Sequence, residues 1–177
     1  RIGPSLGRWF NDVANDQGSF ESRLVDLAEF DLPVYDEAHH PRMQTYEKEH
    51  TRAWSRSVAE ADAFVFVLPE YNFFPPPSFT NAIDYVYTEW NYKPCGFLSY
   101  GGISGGLRSA QIAKQLVTGV KMMPMVEGVS VQMAWKLLDD SQQFTPSDQH
   151  DSSARAMLEE MARWARALEL LRTGDDT

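Results

Sequence analysis

The chain has a single cysteine, few basic residues and no long apolar run, and each shortage excludes a class of protein. Cys95 cannot form an internal disulfide, which is compatible with a reducing cytoplasm. Sixteen Lys and Arg against 25 Asp and Glu give a net charge of −9, which argues against nucleic acid as a partner because phosphate binding needs a basic surface. No apolar run approaches the roughly 18–20 residues of a transmembrane helix, so no membrane partner is expected.

Several enzyme motifs are missing as well. The sequence contains no G-x-G-x-x-G dinucleotide fingerprint and no G-K-[ST] phosphate loop. Ser99 does not lie in a G-x-S-x-G elbow, which argues against a hydrolase. One group of histidines and carboxylates fits no standard metal-binding spacing, so we interpret it as a solvated loop and expect no metal. Its members are Asp36, Glu37, His39, His40 and His50.

Short apolar runs alternate with helical patterns along the chain. The predicted helices cover 4–16, 43–61, 78–87, 105–118 and 152–171, and the predicted strands cover 22–28, 63–68, 96–100 and 125–133. We expect Ser78 to cap the third helix and Gly119 to end the fourth. This alternation predicts a single α/β domain over residues 1–177 with a mostly parallel sheet, whose ligands bind at the carboxyl ends of the strands.

Two loops that follow predicted strands carry unusual residues. In P-E-Y-N-F-F-P-P-P (69–77), Asn72 suits the edge of a heterocycle, Tyr71 and Phe73 offer flat faces, and the prolines pre-order the loop. In S-Y-G-G-I-S-G-G (99–106), four glycines allow the backbone to approach a ligand closely. Taken alone, the first loop could simply cover the core and the second could be a tight turn. Together they favour a ligand site.

These residues resemble the NAD(P)H-dependent FMN reductase family. The stretch L-P-E-Y-N-F-F-P-P-P-S-F-T-N-A-I-D-Y-V-Y (68–87) is similar to that family's P-E-Y-N loop and following helix. The stretch K-P-C-G-F-L-S-Y-G-G-I-S-G-G-L-R (93–108) is similar to its K-P…S-x-G-G…G-G-x-R segment. The resemblance covers nearly the whole chain. It implies a flavodoxin-like three-layer sandwich with a five-stranded parallel sheet of order 2-1-3-4-5.

The resemblance also implies non-covalently bound FMN, with NADH or NADPH as co-substrate. The first loop would line the isoalloxazine ring, and the second would offer backbone donors to its pyrimidine edge. No side chain need act as a catalytic acid or base. Arg108 suits a phosphate or carboxylate, although an exposed helix charge is the preferred interpretation. The implied cofactor-binding residues are Arg1, Pro69, Glu70, Tyr71, Asn72, Phe73, Ser99, Tyr100, Gly101 and Gly102.

The start of the chain departs from the family pattern. The family begins with an apolar strand and a G-S-x-R-type phosphate loop, whereas this chain opens at R-I-G-P-S-L-G-R. A sheet without that central strand would expose unpaired edges, so we expect the first strand to lie upstream of the given chain. Arg1 would then belong to the phosphate loop.

The implied function is an oxidoreductase that passes electrons from NADH or NADPH through FMN to a small acceptor, such as a flavin, quinone or azo compound. The alternative is a flavodoxin-like electron carrier or redox sensor without NAD(P)H turnover, and a third possibility is a fold that no longer binds FMN. A homodimer or homotetramer is expected, with Tyr87 and Trp90 either at the subunit contact or in the core. Cys95 is expected to be a buried small hydrophobe rather than a reactive thiol.

Overall fold

A computed structural model describes residues 1–174 and shows a parallel sheet with helices on both faces. The helices are α1 (Gly3–Gln17), α2 (Glu49–Ala59), α3 (Pro77–Asp84), α4 (Leu107–Thr118) and α5 (Asp148–Thr173). The strands are β1 (Phe64–Pro69), β2 (Pro94–Tyr100), β3 (Met123–Pro124) and β4 (Val129–Val131). Short 3-10 helices cover Leu27–Phe30, Pro41–Met43, Thr88–Trp90 and Ala134–Leu137.

The strand β2 lies at the centre of the sheet. On one side β1 pairs with it in parallel from Phe64↔Cys95 to Pro69↔Tyr100. On the other side β3 pairs with its start and β4 with its end. The strand predicted over 125–133 forms only at Val129–Val131, and β3 lies before the predicted start. Between them Val126 is 89% exposed, and its carbonyl accepts a hydrogen bond from Lys114. The short strands β3 and β4 together therefore form one edge of the sheet.

Alternating residues of β1 and β2 divide the core into two halves, which confirms the three-layer arrangement. Phe66 and Phe97 pack with α2, α3 and α4, whereas Val67 and Leu98 pack with α1 and α5. Period-two alternation of this kind places successive side chains on opposite faces of a strand. Across residues 1–174, no helix combines the length and the hydropathy that spanning a lipid bilayer requires.

The strand predicted over 22–28 is wrong. This segment is irregular and leads into the 3-10 helix Leu27–Phe30, whose start is capped by Asp26. A strand needs a neighbour to complete its hydrogen bonds, and within the described residues none pairs with this segment. Its Leu24 instead packs against Gly7 of α1. The sheet order expected for the last three strands is confirmed, while five strands are not seen in residues 1–174.

Some predicted helix starts are displaced, among them that of α5, which was expected at 152 and begins at Asp148 after the cap Ser147. The helix expected from residue 43 begins at Glu49, because the buried Glu37 carboxylate accepts hydrogen bonds from the N–H groups of Glu47 and Lys48, both at 2.9 Å. Ser78 does not cap α3, which begins at Pro77 with no side-chain cap. The predicted end of α4 at Gly119 is confirmed.

Segments far apart in the chain fasten α1 to α5. The N–H of Phe144 donates to Ser5 Oγ at 2.7 Å across 139 residues. The Trp9 indole donates to Asp151 in the first turn of α5 at 3.1 Å. These bonds attach α1 to α5 and to the segment just before it, beside a shared apolar half-core.

Candidate functional site

The two loops singled out in the sequence begin side by side at the carboxyl edge of the sheet. Pro69 and Tyr100, the last residues of β1 and β2, are partners in the ladder. The next residue, Glu70, donates its N–H to the Tyr100 carbonyl at 3.1 Å. The structure therefore brings residues 69–73 and 99–102 together, as the strand pattern predicted.

The first loop forms a tight turn over residues 71–74. Tyr71 and Phe74 exchange backbone hydrogen bonds of 2.9 and 3.0 Å. Between them Asn72 and Phe73 both have positive φ, at 50° and 77°, which is the pattern of a type I′ turn. The rings of Tyr71, Phe73 and Phe74 are each more than half exposed. This aromatic turn presents flat apolar faces to solvent rather than covering the core.

The Glu70 carboxylate connects the first loop to the second. Its Oε2 accepts hydrogen bonds from Ser104 Oγ at 2.9 Å and the Arg108 N–H at 3.2 Å, and its Oε1 accepts from Arg108 Nε at 2.7 Å. Burial raises the pKa of this carboxyl, but the bonds from Arg108 and Ser104 outweigh burial and hold the pKa below its ordinary value. Arg108 therefore binds a carboxylate of its own chain.

Two glycines of the second loop are explained by packing alone. Gly106 has φ +80°, and an added Cβ would lie 2.6 Å from the Tyr100 nitrogen. Gly105 has φ +60°, and its carbonyl accepts hydrogen bonds from the hydroxyls of Ser99 and Ser130. The tight-turn alternative is thus correct for Gly105 and Gly106. Gly101 and Gly102 lack this explanation, since neither has positive φ.

Within residues 1–174, backbone donors without a partner begin at the second residue after the end of β2. The Gly101 N–H is already bonded to the Val131 carbonyl at 3.2 Å, and Ser99 and Tyr100 lie in β2 between two neighbours. The N–H groups of Gly102, Ile103 and Ser104, by contrast, have no hydrogen-bond partner within residues 1–174. The sequence predicted Gly102 but not Ile103 and Ser104. The one sequence feature that could have indicated these two N–H groups is their position in a loop before a helix.

Arg1 and Tyr100 occupy one neighbourhood at the start of α1. Arg1 donates to Asp26 at 2.8 Å, which lowers the pKa of that carboxyl. The Tyr100 hydroxyl lies against Gly3, where an added Cβ would be 3.0 Å away. Burial and the nearby Tyr71 raise the pKa of Tyr100, while Arg1 opposes them. Arg1 therefore lies close to both loops, with its side chain 65% exposed.

The site is an open surface rather than a closed cavity. One cleft of about 480 Å³ lies between β4 and the start of α5, lined by residues such as Gln132 and His150. Another of about 380 Å³ lies between Arg42 and Tyr87. Neither is lined by residues of the two loops, and the aromatic side chains of the first loop are exposed to solvent instead.

Other candidate residues have structural roles. Trp90 is fully buried and its indole donates to the Ile83 carbonyl, so the core-packing alternative is correct for it. Cys95 is buried, as predicted, and burial raises the pKa of its thiol. Asp36 accepts hydrogen bonds from His50 and Tyr85, both at 3.0 Å. No group of three or more potential metal ligands occurs in the described part of the chain.

Comparison with known proteins identifies relatives by sequence. A family model described as NADPH-dependent FMN reductase matches residues 1–136. The chain is 38% identical over 128 residues to an NAD(P)H-dependent FMN reductase of Nectria sp., covering 69% of this chain and 64% of that protein. It is 40% identical over 114 residues to one of Schizosaccharomyces pombe, covering 63% and 57%. It is 37% identical over 144 residues to one of Saccharomyces cerevisiae, covering 75% and 74%.

The chain spans about three fifths of the length of the Nectria and S. pombe relatives, 64% and 57%. Among solved structures it resembles FerB, a flavoenzyme NAD(P)H:(acceptor) oxidoreductase from Paracoccus denitrificans, with a TM-score of 0.73 at 19% identity over 94% of this chain and 91% of that one. This likeness shows a shared fold. The family match confirms the resemblance predicted from the P-E-Y-N and G-G segments: the chain belongs to the NADPH-dependent FMN reductase family.

Proposed function

We propose that the protein binds FMN non-covalently across the two loops and uses NADH or NADPH to reduce a small electron acceptor. The observation that carries this proposal is the placement of the exposed aromatic turn beside a run of free backbone N–H groups at the carboxyl edge of a parallel sheet. Ligands bind at this edge in folds of this type. Membership of the family supports the same reading.

The residues present fit the cofactor. A flavin has a flat ring system with carbonyl oxygens on one edge, so it needs flat apolar faces and hydrogen-bond donors. Tyr71 and Phe73 supply exposed rings, and the N–H groups of Gly102, Ile103 and Ser104 supply donors with no other partner in residues 1–174. The Asn72 side chain is exposed and makes no hydrogen bond within that range.

The proposed cofactor-binding residues fall into two groups by what their side chains do. Tyr71, Asn72 and Phe73 have exposed side chains at the site, and Arg1, also exposed, would bind the phosphate end. Tyr100 is partly buried and packs beside the start of α1, so its proposed contact with the cofactor is made by the exposed part of its ring. Pro69, Glu70, Ser99 and Gly101 hold the loops in place: the Pro69 carbonyl accepts from Ser109 at 2.9 Å and Ser99 Oγ donates to Gly105. Gly102 contributes its backbone N–H.

When bound, FMN supplies the hydride chemistry, and the chain's residues bind and orient it. The N–H groups of residues 102–104, which have no partner within residues 1–174, would place partial positive charge beside the ring edge, where electron density increases on reduction. Because these dipoles are fixed by the loop, they need little rearrangement during turnover. The acceptor is a small molecule such as a flavin, a quinone or an azo compound.

The test is an absorption spectrum of the protein after addition of FMN and desalting, followed by anaerobic NADPH. Retained flavin bands and bleaching within seconds are expected. A retained flavin that NADPH does not bleach would favour an electron carrier or sensor. The net charge of −9 would suit docking of such a carrier to a basic redox partner. Absence of retained flavin would contradict the proposed cofactor site.

We also propose a cytoplasmic homodimer or homotetramer. Of the exposed rings in the turn over 71–74, Phe74 is not assigned to the cofactor and is available to a subunit contact beside the cofactor site. Tyr87, which is partly exposed and accepts a hydrogen bond from Arg42 at 3.1 Å, remains a candidate contact. A monomer by light scattering at micromolar concentration would contradict the proposed assembly.

A further inference from the structure

One tryptophan differs from the other four in how its indole is used. Trp9, Trp54, Trp90 and Trp164 all donate their indole N–H groups, to partners 2.8–3.1 Å away. Trp135 has no hydrogen-bond partner in residues 1–174, and 53% of its surface is exposed. A Trp side chain usually buries its ring or pairs its N–H, so this one is available to a ligand in both respects.

The fold places Trp135 next to the candidate site. It lies in the 3-10 helix Ala134–Leu137, shortly after β4. The second loop (99–106), called the glycine loop from here on, follows β2, and the aromatic turn over 71–74 follows β1. Because β2 lies between β1 and β4, Trp135 flanks the glycine loop on the side opposite to the aromatic turn. Its Cη2 atom would be 3.8 Å from a Cβ added to Gly102.

The backbone around Trp135 is held firmly against the glycine loop. The N–H groups of Met133 and Ala134 donate to the carbonyls of Gly102 and Gly101, at 3.0 and 3.2 Å. Ala134 is fully buried. The backbone that carries the indole is therefore already ordered, so contact with a ligand costs little main-chain conformational entropy.

We propose that Trp135 is a substrate-contacting residue that stacks its exposed indole ring on a planar conjugated ring of the substrate. This inference rests on the proposed function. Two substrates share the required chemistry: the nicotinamide ring with its carboxamide, and a quinone acceptor. Residues 102–104 are assigned to the cofactor. Trp135 lies beside them, so it suits the second molecule at the site, which is the substrate that exchanges electrons with the cofactor.

The kinetic test compares Trp135→Phe and Trp135→Leu with the matched control Trp164→Phe, whose residue lies on α5 and pairs with Glu160. FMN affinity is measured by titration, and kcat/KM is measured for NADPH and for benzoquinone. We expect Trp135→Leu to lower kcat/KM about tenfold or more for at least one substrate, with a smaller loss in Trp135→Phe. FMN affinity and the control variant should stay unchanged.

The pattern of loss identifies the ring. A loss confined to NADPH assigns the contact to nicotinamide, a loss confined to benzoquinone assigns it to the acceptor, and a loss for both assigns it to a position that the two share. Unchanged kcat/KM for both substrates would overturn the proposal. Weakened FMN binding, or conversion to a smaller oligomer by light scattering, would also overturn it, because Trp135 would then serve the cofactor or a subunit contact.

A second readout does not depend on turnover. NADP⁺ and benzoquinone are titrated into the wild type and into Trp135→Phe while tryptophan fluorescence is recorded. Quenching that is present in the wild type and lost in Trp135→Phe supports the contact, and equal quenching overturns it. If wild-type protein fails to bind FMN, the proposed function fails by itself, while the titration still reports on the indole.

Discussion

Arg108 lies over the ring of Phe73, with its guanidinium carbon 4.0 Å from the ring centroid. The same guanidinium pairs with Glu70, whose carboxylate is 6% exposed. Arg108, at the start of α4, thus contacts both Glu70, which precedes the aromatic turn, and Phe73, which lies within it. The orientation of the Phe73 ring depends on this contact, because within residues 1–174 the turn is otherwise closed by its own two backbone bonds.

Replacing Glu70 with Gln should loosen the turn. The neutral amide pairs weakly with Arg108, so we expect the free energy of unfolding to fall by about 1–3 kcal/mol and the Kd for FMN to rise about tenfold. Chemical denaturation and flavin titration measure the two effects. Glu49→Gln is the control, since Glu49 forms an exposed surface pair with Arg52, and its change should stay below about 1 kcal/mol. Equal effects of the two substitutions would contradict the role given to Glu70.

The contribution of Glu70 to stability should depend on pH. Its pKa in the folded protein lies below the ordinary value of 4.5, so the folded state binds fewer protons than the unfolded state as the pH falls through this region. The stabilisation is therefore complete above pH 4.5 and is lost as the pH falls through the lower, folded-state pKa. The difference in unfolding free energy between wild type and Glu70→Gln should shrink accordingly in denaturation curves recorded from pH 7 to pH 3. A difference that grows on acidification would refute this.

Substitutions at Asn72 separate backbone strain from ligand contact. Asn72 has φ 50°, a conformation that glycine accepts and alanine does not. Asn72→Ala should lower stability by about 1 kcal/mol, whereas Asn72→Gly should leave it nearly unchanged. Both remove the exposed amide, so both should weaken FMN binding to a similar degree. Unchanged flavin content in Asn72→Gly would remove Asn72 from the cofactor site.

Two glycines of the second loop should respond differently to alanine. In Gly106→Ala the new Cβ would lie 2.6 Å from the Tyr100 nitrogen at φ +80°, so we expect a loss of about 2 kcal/mol or more. In Gly102→Ala the nearest atom is Trp135 Cη2 at 3.8 Å, an ordinary contact, so the fold should keep its stability. Thermal unfolding of both variants measures the contrast. A stable Gly106→Ala protein would show that the loop does not need this close approach.

The sheet and its two loops could be predicted because their signals are local. Short apolar runs such as F-V-F-V-L predict strands from their own composition and length, and glycines or prolines at their ends mark the loops. The segment over 22–28 has a strand-like composition too, but a strand exists only with a partner, and composition does not supply one. The start of α2 was missed for a similar reason, since it is set by Glu37 from a preceding loop.

Within the site, the sequence located the loops better than the groups that face a ligand. It could not distinguish Gly105 and Gly106, which are needed for packing, from Gly102, whose N–H has no hydrogen-bond partner in the described residues. That distinction depends on distances to Tyr100 and Ser130. Trp135 was not predicted, because only the pairing of β4 with β2 brings it beside the glycine loop.

The attachment of α1 to α5 has a consequence for how the chain folds. The hydrogen bond between Ser5 and Phe144 closes a loop of 139 residues, so its entropic cost is met only after most of the intervening chain is ordered. On the ribosome, α1 emerges long before its partner helix is synthesised. We therefore expect the layer formed by α2, α3 and α4 on the sheet to assemble first during translation, with α1 docking in a late step that waits for the second outer helix.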